Sequence, residues 1–578
     1  MLQYSQAGAQ SPDFYRQTSE IAPTIIQYDQ DKHALLDFYS PRAADGFSYQ
    51  PVLNSPTQRK RLQELNLQYL DELSTFVFDQ LQVNGQVDYL LFKNQIEEYQ
   101  EELKEEEANY AAISAFIPFA DSIYNLEKVR FRGGSIDSEQ LAKAFNGFSN
   151  DIAVRLEELP KQAKIDKKQA DFAEKAVYAL QTRLQNVFNF YNGYDPMFSW
   201  WVPKTYEKLD SLLGKYAARL AEMGEVCTNQ KLDKSGIKGS PLGEETLNKL
   251  LARAYIPYSP QELIAIANQE FAWCDKELLK ASQEMGFGND WKKAQEQVKN
   301  SYVPVGKQPE LIVKLYNDAK AFITERDWIT WPALADETWG MIMMTPERQL
   351  VNPFFTGGRE ISISYPTADM SYEDKMMSMR GNNPYFSRAT VQHELIPGHH
   401  LQYFMNSRYK PYRQAFGTPF YIEGWALYWE LLLYENGFAK TPEERIGMLF
   451  WRMHRCARII FSLNYHLGKW SPQTCIDFLV DRVGFERANA EGEVRRSFQG
   501  DYPPLYQAAY LLGGLQIMGL KRELVDSGKM TLKAFHDAFM KENQLPIELM
   551  RAILTNQKLS KDFKTNWKFY DFDRSNKL

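Results

Sequence analysis

The chain has 578 residues, long for a single hydrophobic core, so two or more lobes are expected. Its 67 basic and 74 acidic side chains leave a net charge of −7 with no long basic run, which argues against nucleic acid as a partner. Hydrophobic residues make up 44%, enough for a packed interior, while no apolar run reaches about 18 residues, so no transmembrane segment is expected.

The N-terminus, MLQYSQAGAQSPDFYRQ, lacks both a charged n-region and an apolar h-region, so the chain as written carries no secretion signal. Its compartment stays open between the cytoplasm and, for a trimmed chain, export. Residues 1–55 are mixed in character and read as a loosely structured lead-in. From 56 to about 300 apolar residues recur every three or four positions, as in RKRLQELNLQYLDELSTFVFDQL (59–81), YLLFKNQIEEYQEELKEEEANYAAI (89–113) and KQADFAEKAVYALQTRLQNVFNFY (168–191). This is the expected N-terminal helical lobe, and the charge run EELKEEE (101–107) is a solvated face of it. A soft boundary falls between 290 and 335, and residues 301–578 form the expected C-terminal lobe. Its first part, ETWGMIMMTPERQLVNPFFTGGREISISYPT (337–367), is broken by Pro and Gly and alternates at EISISY, the best candidate for a small β element. Helices resume after it, and TPEE (441–444) and SPQT (471–474) have the form of helix N-termini. The fold class expected is therefore mainly α, with two helical lobes around a deep cleft.

Four cysteines, Cys227, Cys274, Cys456 and Cys475, form no C-x-x-C pair, which argues against a cysteine-held metal and a disulfide scaffold. Histidine carries the signal instead. HELIPGHH (393–400) holds three of the chain's seven histidines. A zinc hydrolase needs two or three imidazole or carboxylate ligands, an open position, and a carboxylate that takes the proton of the activated water. On a straight helix neither available spacing works: six residues turn the side chain about 120° away, and seven carry it some 10 Å along the axis. Pro397 cannot donate to the carbonyl of His393, and Gly398 tolerates unusual backbone angles. A two-residue bulge at Pro397-Gly398 would return His399 to the missing i+4 place, with His400 as the alternative second ligand. A third ligand is expected from PFYIEGWALYWELLLYENGF (419–438), an apolar helix whose Glu423 and Glu430, seven apart, share a face.

HELIPGHHLQ, EGWALYWE and PPLYQAAYLLGG together resemble the H-E-x-x-P-G-H-x-x-Q, E-G-W-A-x-Y-x-E and Q-A-x-x-Y-x-x-G blocks of the bacterial domain-of-unknown-function family 885, read as gluzincin-like zinc metallopeptidases. EGWALYWE is also similar to the E-S-x-S-R-x-W-E helix of Taq-type carboxypeptidases. The resemblance implies one zinc per chain held by His393, His399 and Glu423, with Glu394 as general base. It implies no direct role for His400, and Glu430 orients a ligand from behind. In VRRSFQGDYPPLYQAAYLLGG (494–514) it favours Tyr510 as a hydroxyl donor to the oxyanion. Arg495 and Arg496 are candidates to clamp a peptide carboxylate, with Tyr506 beside them on the substrate side. His454 and His466 read as core histidines, and FFTGGREISISY as either an edge strand for an extended peptide or a plain hairpin. The expected activity is hydrolysis of short peptides, with carboxypeptidase attack as the first expectation. The alternatives are a zinc hydrolase of a non-peptide amide or ester, and an inactive helical binding protein.

Overall fold

A computed structural model describes residues 18–42, 50, 52–225, 233–351, 354–499 and 502–572. It is 70% helical, and among the described residues strands occur as two short parallel pairs. The mainly α class and the small β element ahead of HELIPGHH are both present. The chain divides into two compact units. One comprises Ile21–Val77 and Leu91–Lys231; the other comprises Phe78–Leu90 and Leu232–Leu578, together with the residues up to Glu20. The boundary expected between 290 and 335 thus lies inside the second unit, because the helix Pro260–Glu284 packs along Pro442–His466.

In the first unit, α1 (Ser138–Glu158), α2 (Lys167–Tyr191) and α3 (Pro203–Glu222) bury a shared core that includes Phe145, Leu180, Leu184, Leu213 and Tyr216. Two-residue strands β1 (Ile165–Asp166) and β2 (Gly224–Glu225) pair in parallel. Arg183 is fully buried in this unit. It is held by Glu127 at 2.5 Å and by the carbonyls of Tyr39 and Leu53. The lead-in corrects one expectation: Ala22–Tyr39 is a helix, started by Pro23 near its first position and buried at Ile25 and Tyr28. Cys227 lies outside the described residues, and Cys274, Cys456 and Cys475 are buried free thiols.

The second unit carries α4 (Pro260–Glu284) and the parallel strands β3 (Gly340–Met343) and β4 (Glu360–Ile363). Next come α5 (Pro384–Glu394) and α6 (His399–Asn406). They are followed by α7 (Pro419–Glu435), α8 (Pro442–His466), α9 (Arg487–Gln499) and α10 (Tyr506–Lys521). Capping is local and explicit. Asn383 accepts from the N–H groups of Tyr385 and Phe386, and Thr441 and Glu444 complete the expected capping box of α8. Helix α7 is apolar almost all round and is buried accordingly.

Two glycines let α7 and α10 cross with their backbones in contact. A Cβ on Gly424 would lie 2.6 Å from Cα of Gly513, and one on Gly513 would lie 2.2 Å from the carbonyl oxygen of Phe420. Any larger residue at either position would push the two helices apart. Gly424 follows Glu423, and Gly513 lies one turn beyond Tyr510, so the crossing sets these side chains beside one another.

Candidate metal centre

The interruption of HELIPGHH is larger than the two-residue bulge expected. The helix ends at Glu394 and a new one starts at His399, with Leu395–Gly398 between them. The Ile396–Pro397 peptide is cis. The N–H of Gly398 donates to the carbonyl of Gln392 at 3.0 Å, and that of His400 to Leu395 at 3.1 Å. These long-period bonds replace the α-helical ladder where Pro397 has no N–H to give. A Cβ on Gly398 would fall 1.8 Å from the oxygen of His393, so the turn closes only around a glycine. The carbonyl of Pro397 accepts from the indole N–H of Trp425 at 2.7 Å, which fastens the turn to α7.

The outcome is that His393 and His399 face each other edge to plane, with ring centroids 4.8 Å apart. Glu423 meets them from α7. Its Oε2 lies 3.5 Å from Nε2 of His393 and 3.3 Å from Nε2 of His399. Four tetrahedral ligands at about 2.0–2.1 Å from zinc stand about 3.4 Å apart. Both imidazoles have their other nitrogen occupied: Nδ1 of His393 meets Oε1 of Glu430 at 2.7 Å, and Nδ1 of His399 meets Oε1 of Gln402 at 3.0 Å. With Nδ1–H donated backwards, Nε2 of each ring is left as a lone pair for a cation. Oε2 of Glu423 is buried and receives no hydrogen bond, whereas its Oε1 accepts from the Tyr506 hydroxyl at 2.5 Å. Two imidazoles, one carboxylate oxygen without a donor, and spacings near a tetrahedral edge fit a zinc ion.

Burial favours the neutral form of Glu423, yet His399 and His393 outweigh it and hold the carboxyl well below the usual carboxylate range. His393 shows the converse: burial works against its proton, but Glu423 and Glu430 prevail and raise its pKa to about 9. Burial dominates at Glu394, lifting it above the ordinary carboxyl value against the pull of His393 and His399. A carboxylate made more basic in this way, next to the cluster, suits proton transfer. Gly357 leaves room for it, since a Cβ there would meet Oε2 of Glu394 at 2.2 Å.

The structure therefore gathers His393, His399, Glu423, Glu430, Glu394 and Tyr506. Tyr510 is also near: its ring lies parallel to that of His393 at 6.4 Å, with the guanidiniums of Arg458 and Arg455 at 4.4 and 4.8 Å from its centroid. His400 does not join the cluster, because both its ring nitrogens face backbone carbonyls, of Arg359 at 2.8 Å and Ala335 at 3.0 Å. Arg495 is exposed and reaches Gln499, and Arg496 pairs with Glu493 on its own helix, so neither is drawn into the cluster. Tyr506, expected on the substrate side, donates its hydroxyl to Glu423. His454 and His466 are buried outside the cluster. Burial keeps both easier to deprotonate than a free histidine, His454 with the further push of Arg458.

Sequence reasoning passed over Gln402, Trp425, Arg455 and Arg458. Gln402 follows His399 by three residues on one helix face, a spacing that signals contact. Arg452, Arg455 and Arg458 repeat every three residues on an apolar helix, which requires buried partners. Those partners include Glu270 for Arg452, Glu430 at 3.5 Å for Arg455 and Glu493 for Arg458.

Fold and site thus define a mainly α protein with a buried His–His–Glu cluster beside a free carboxylate. The chain belongs to the family described as "Bacterial protein of unknown function (DUF885)", whose model matches residues 50–554. It is similar in fold to a protein from Shewanella oneidensis described as "a putative lipoprotein of unknown function". That match has 17% identity and a TM-score of 0.62, and covers 93% of this chain and 99% of the other. A second, described as "the putative lipoprotein from Colwellia psychrerythraea", has 15% identity and a TM-score of 0.57, covering 93% of this chain and 98% of the other. No curated protein matches the sequence. Among the described residues no helix is long and apolar enough to cross a membrane.

Proposed function

We propose that the protein is a zinc-dependent metallopeptidase of short peptides, with carboxypeptidase attack as the first mode to test. The observation that supports this most is the juxtaposition of the His393–His399–Glu423 set with Glu394, which neither binds in that set nor receives a hydrogen bond from the described residues. Zinc, when bound, would supply Lewis acidity to the scissile carbonyl and acidity to water. His393, His399 and Glu423 would hold it, with Glu430, Gln402 and Tyr506 fixing their orientation. Glu394 would take the proton of the attacking water and pass it to the leaving amine, which its raised basicity favours. Tyr510, stacked near His393 and flanked by two guanidiniums, is the candidate donor to the developing oxyanion. The relatives described as lipoproteins favour an exported protein of the cell envelope, where short peptides are available substrates.

Metal content per chain and turnover of a mixed peptide library by wild type and Glu394→Gln test the proposal together. The expected result is one zinc in both proteins, with turnover about 100-fold or more lower in the variant. Wild type without stoichiometric metal, or a variant as fast as wild type, would end it. Turnover of amides or esters but of no peptide would move the activity to the non-peptide alternative.

A further inference from the structure

In the first unit the chain leaves α2, passes Tyr194 and Asp195, and enters a short helix, Pro196–Trp201, that runs on into α3. Val202 between the two keeps helical angles (φ −91°, ψ −36°), and its N–H donates to the carbonyl of Phe198 at 3.0 Å. Both helices therefore follow nearly one path. Stepping about 100° per residue places Phe198, Val202, Tyr206 and Leu209 on one side, and all four are buried. Phe198 stacks on Tyr191 at 5.3 Å, and Asp195 accepts from the N–H groups of Met197 and Phe198. The opposite side is thereby held outward on a braced turn. It carries Met197 at 60% exposure and Trp200 at 81%, with Trp201 partly exposed and Tyr194 at 80% just before the helix. Tryptophan is highly buried on average, so two adjacent ones left in water beside a tyrosine and a methionine mark an interaction surface.

The same face continues along α3 as a row of cations. Lys204, Lys208 and Lys215 fall within about 20° of Met197 around the helix. All three are exposed, and among the described residues none pairs with a carboxylate. Glu207 lies at the edge of the face, about 80° from Met197, and Glu222 is taken by Arg219. A protein interface favours tryptophan but is depleted of lysine. A bilayer surface uses both: tryptophan and tyrosine settle at headgroup level, an apolar side chain enters the acyl boundary, and lysine is drawn to anionic headgroups. We propose that this face docks on an anionic lipid bilayer, with Tyr194, Met197, Trp200 and Trp201 at the interface and the three lysines against lipid phosphates. The surface belongs to the first unit alone and needs neither the metal nor peptide hydrolysis.

Co-sedimentation of the full chain with vesicles tests the proposal, one set of phosphatidylcholine alone and one with about one-third phosphatidylglycerol. Wild type should bind the anionic vesicles at least about tenfold more tightly than the neutral ones. Lys204→Gln with Lys208→Gln should weaken that binding about 20-fold, and Trp200→Ala about tenfold. The replaced side chains are exposed, so both variants should keep the wild-type urea midpoint. Lipids brominated in the acyl chain should quench part of the wild-type tryptophan emission, and less of it in Trp200→Ala. Tyr372→Ala, similarly exposed in the second unit, should bind like wild type. The proposal is overturned if wild type binds no vesicle at about 1 mM lipid, or binds neutral and anionic vesicles alike. It is overturned too if both folded variants bind like wild type, or if Tyr372→Ala weakens binding as much as Trp200→Ala. A wild-type dimer in analytical ultracentrifugation that Trp200→Ala dissolves would overturn it as well, assigning the face to a second copy of the chain.

Discussion

Replacing Gly398 by alanine isolates the turn that brings the two histidines together. The added Cβ would sit 1.8 Å from the oxygen of His393 and 2.5 Å from that of Gln392. A relaxed C···O contact is about 3.3 Å, so the nearer pair must separate by about 1.5 Å (3.3 − 1.8). Both obstacles are backbone, and no rotamer change relieves them. Moving Gly398 also breaks its N–H bond to Gln392, which closes the turn. His399 is the next residue, and metal ligands tolerate displacement of only about 0.2 Å. Zinc affinity should therefore fall at least about 100-fold, and stability by about 1–3 kcal/mol. Competition against a chromophoric chelator reads the first, and urea unfolding reads the second. Gly147→Ala is the control: it is exposed on a helix, nothing lies within 4 Å of the added Cβ, and neither quantity should drop. If Gly398→Ala binds zinc as tightly as wild type, the turn does not position His399 and the argument fails.

Metal-free His393 keeps its proton up to about pH 9, because Glu423 and Glu430 outweigh burial. Zinc must displace that proton, so binding at pH 7.5 should release about one or more protons, seen as buffer-dependent calorimetric heats; heats independent of buffer would contradict this. Gly357→Val should crowd Glu394 and lower peptide turnover about 100-fold with metal content unchanged; loss of metal instead would mean that this loop supports the cluster. His536 is enclosed between the Tyr428 hydroxyl and the Trp328 carbonyl, and burial depresses its pKa to about 3. Its contribution is whole above the unfolded value of about 6.5 and shrinks as pH falls towards 3, at about 1.4 kcal/mol per unit. Urea unfolding at pH 7 and pH 5 should thus differ by about 2 kcal/mol on its account, and His536→Gln should remove most of that difference.

Signals carried within a few residues were legible in the sequence. The capping box at Thr441–Glu444, the long periodic helices and the apolar α7 all stand where pattern placed them. The failure of a straight helix through HELIPGHH followed from spacing alone, although the break takes four residues where two were expected. Pairings across distant segments were not legible. Gln402 behind His399, Arg455 behind Glu430 and Trp425 on the Pro397 carbonyl are each decided by which helix crosses which. Arg495 and Arg496 show the same limit in reverse, since their proximity in sequence to Tyr506 and Tyr510 says nothing about the face of α9 on which they fall. The lead-in helix was hidden by its flanks, and it is buried only because Ile25 and Tyr28 find partners elsewhere in their unit.

The two glycines of EGWA and YLLGG connect these cases. Each looks like a helix weakness, worth about 1 kcal/mol against alanine. In the structure they are the point where α7 and α10 touch, one residue from Glu423 and one turn from Tyr510. A crossing that close fixes where along each helix the carboxylate and the tyrosines stand, so their distances follow from backbone contact and not from flexible side chains. The third block, HELIPGHH, is tied to the same helix through Trp425 and through Gln402, whose amide donates to the Tyr421 carbonyl. All three blocks therefore act as one mechanical unit, with α7 as its spine. That coupling explains why Gly398, Gly424 and Gly513 stand at these points: each admits a backbone approach that a side chain would block.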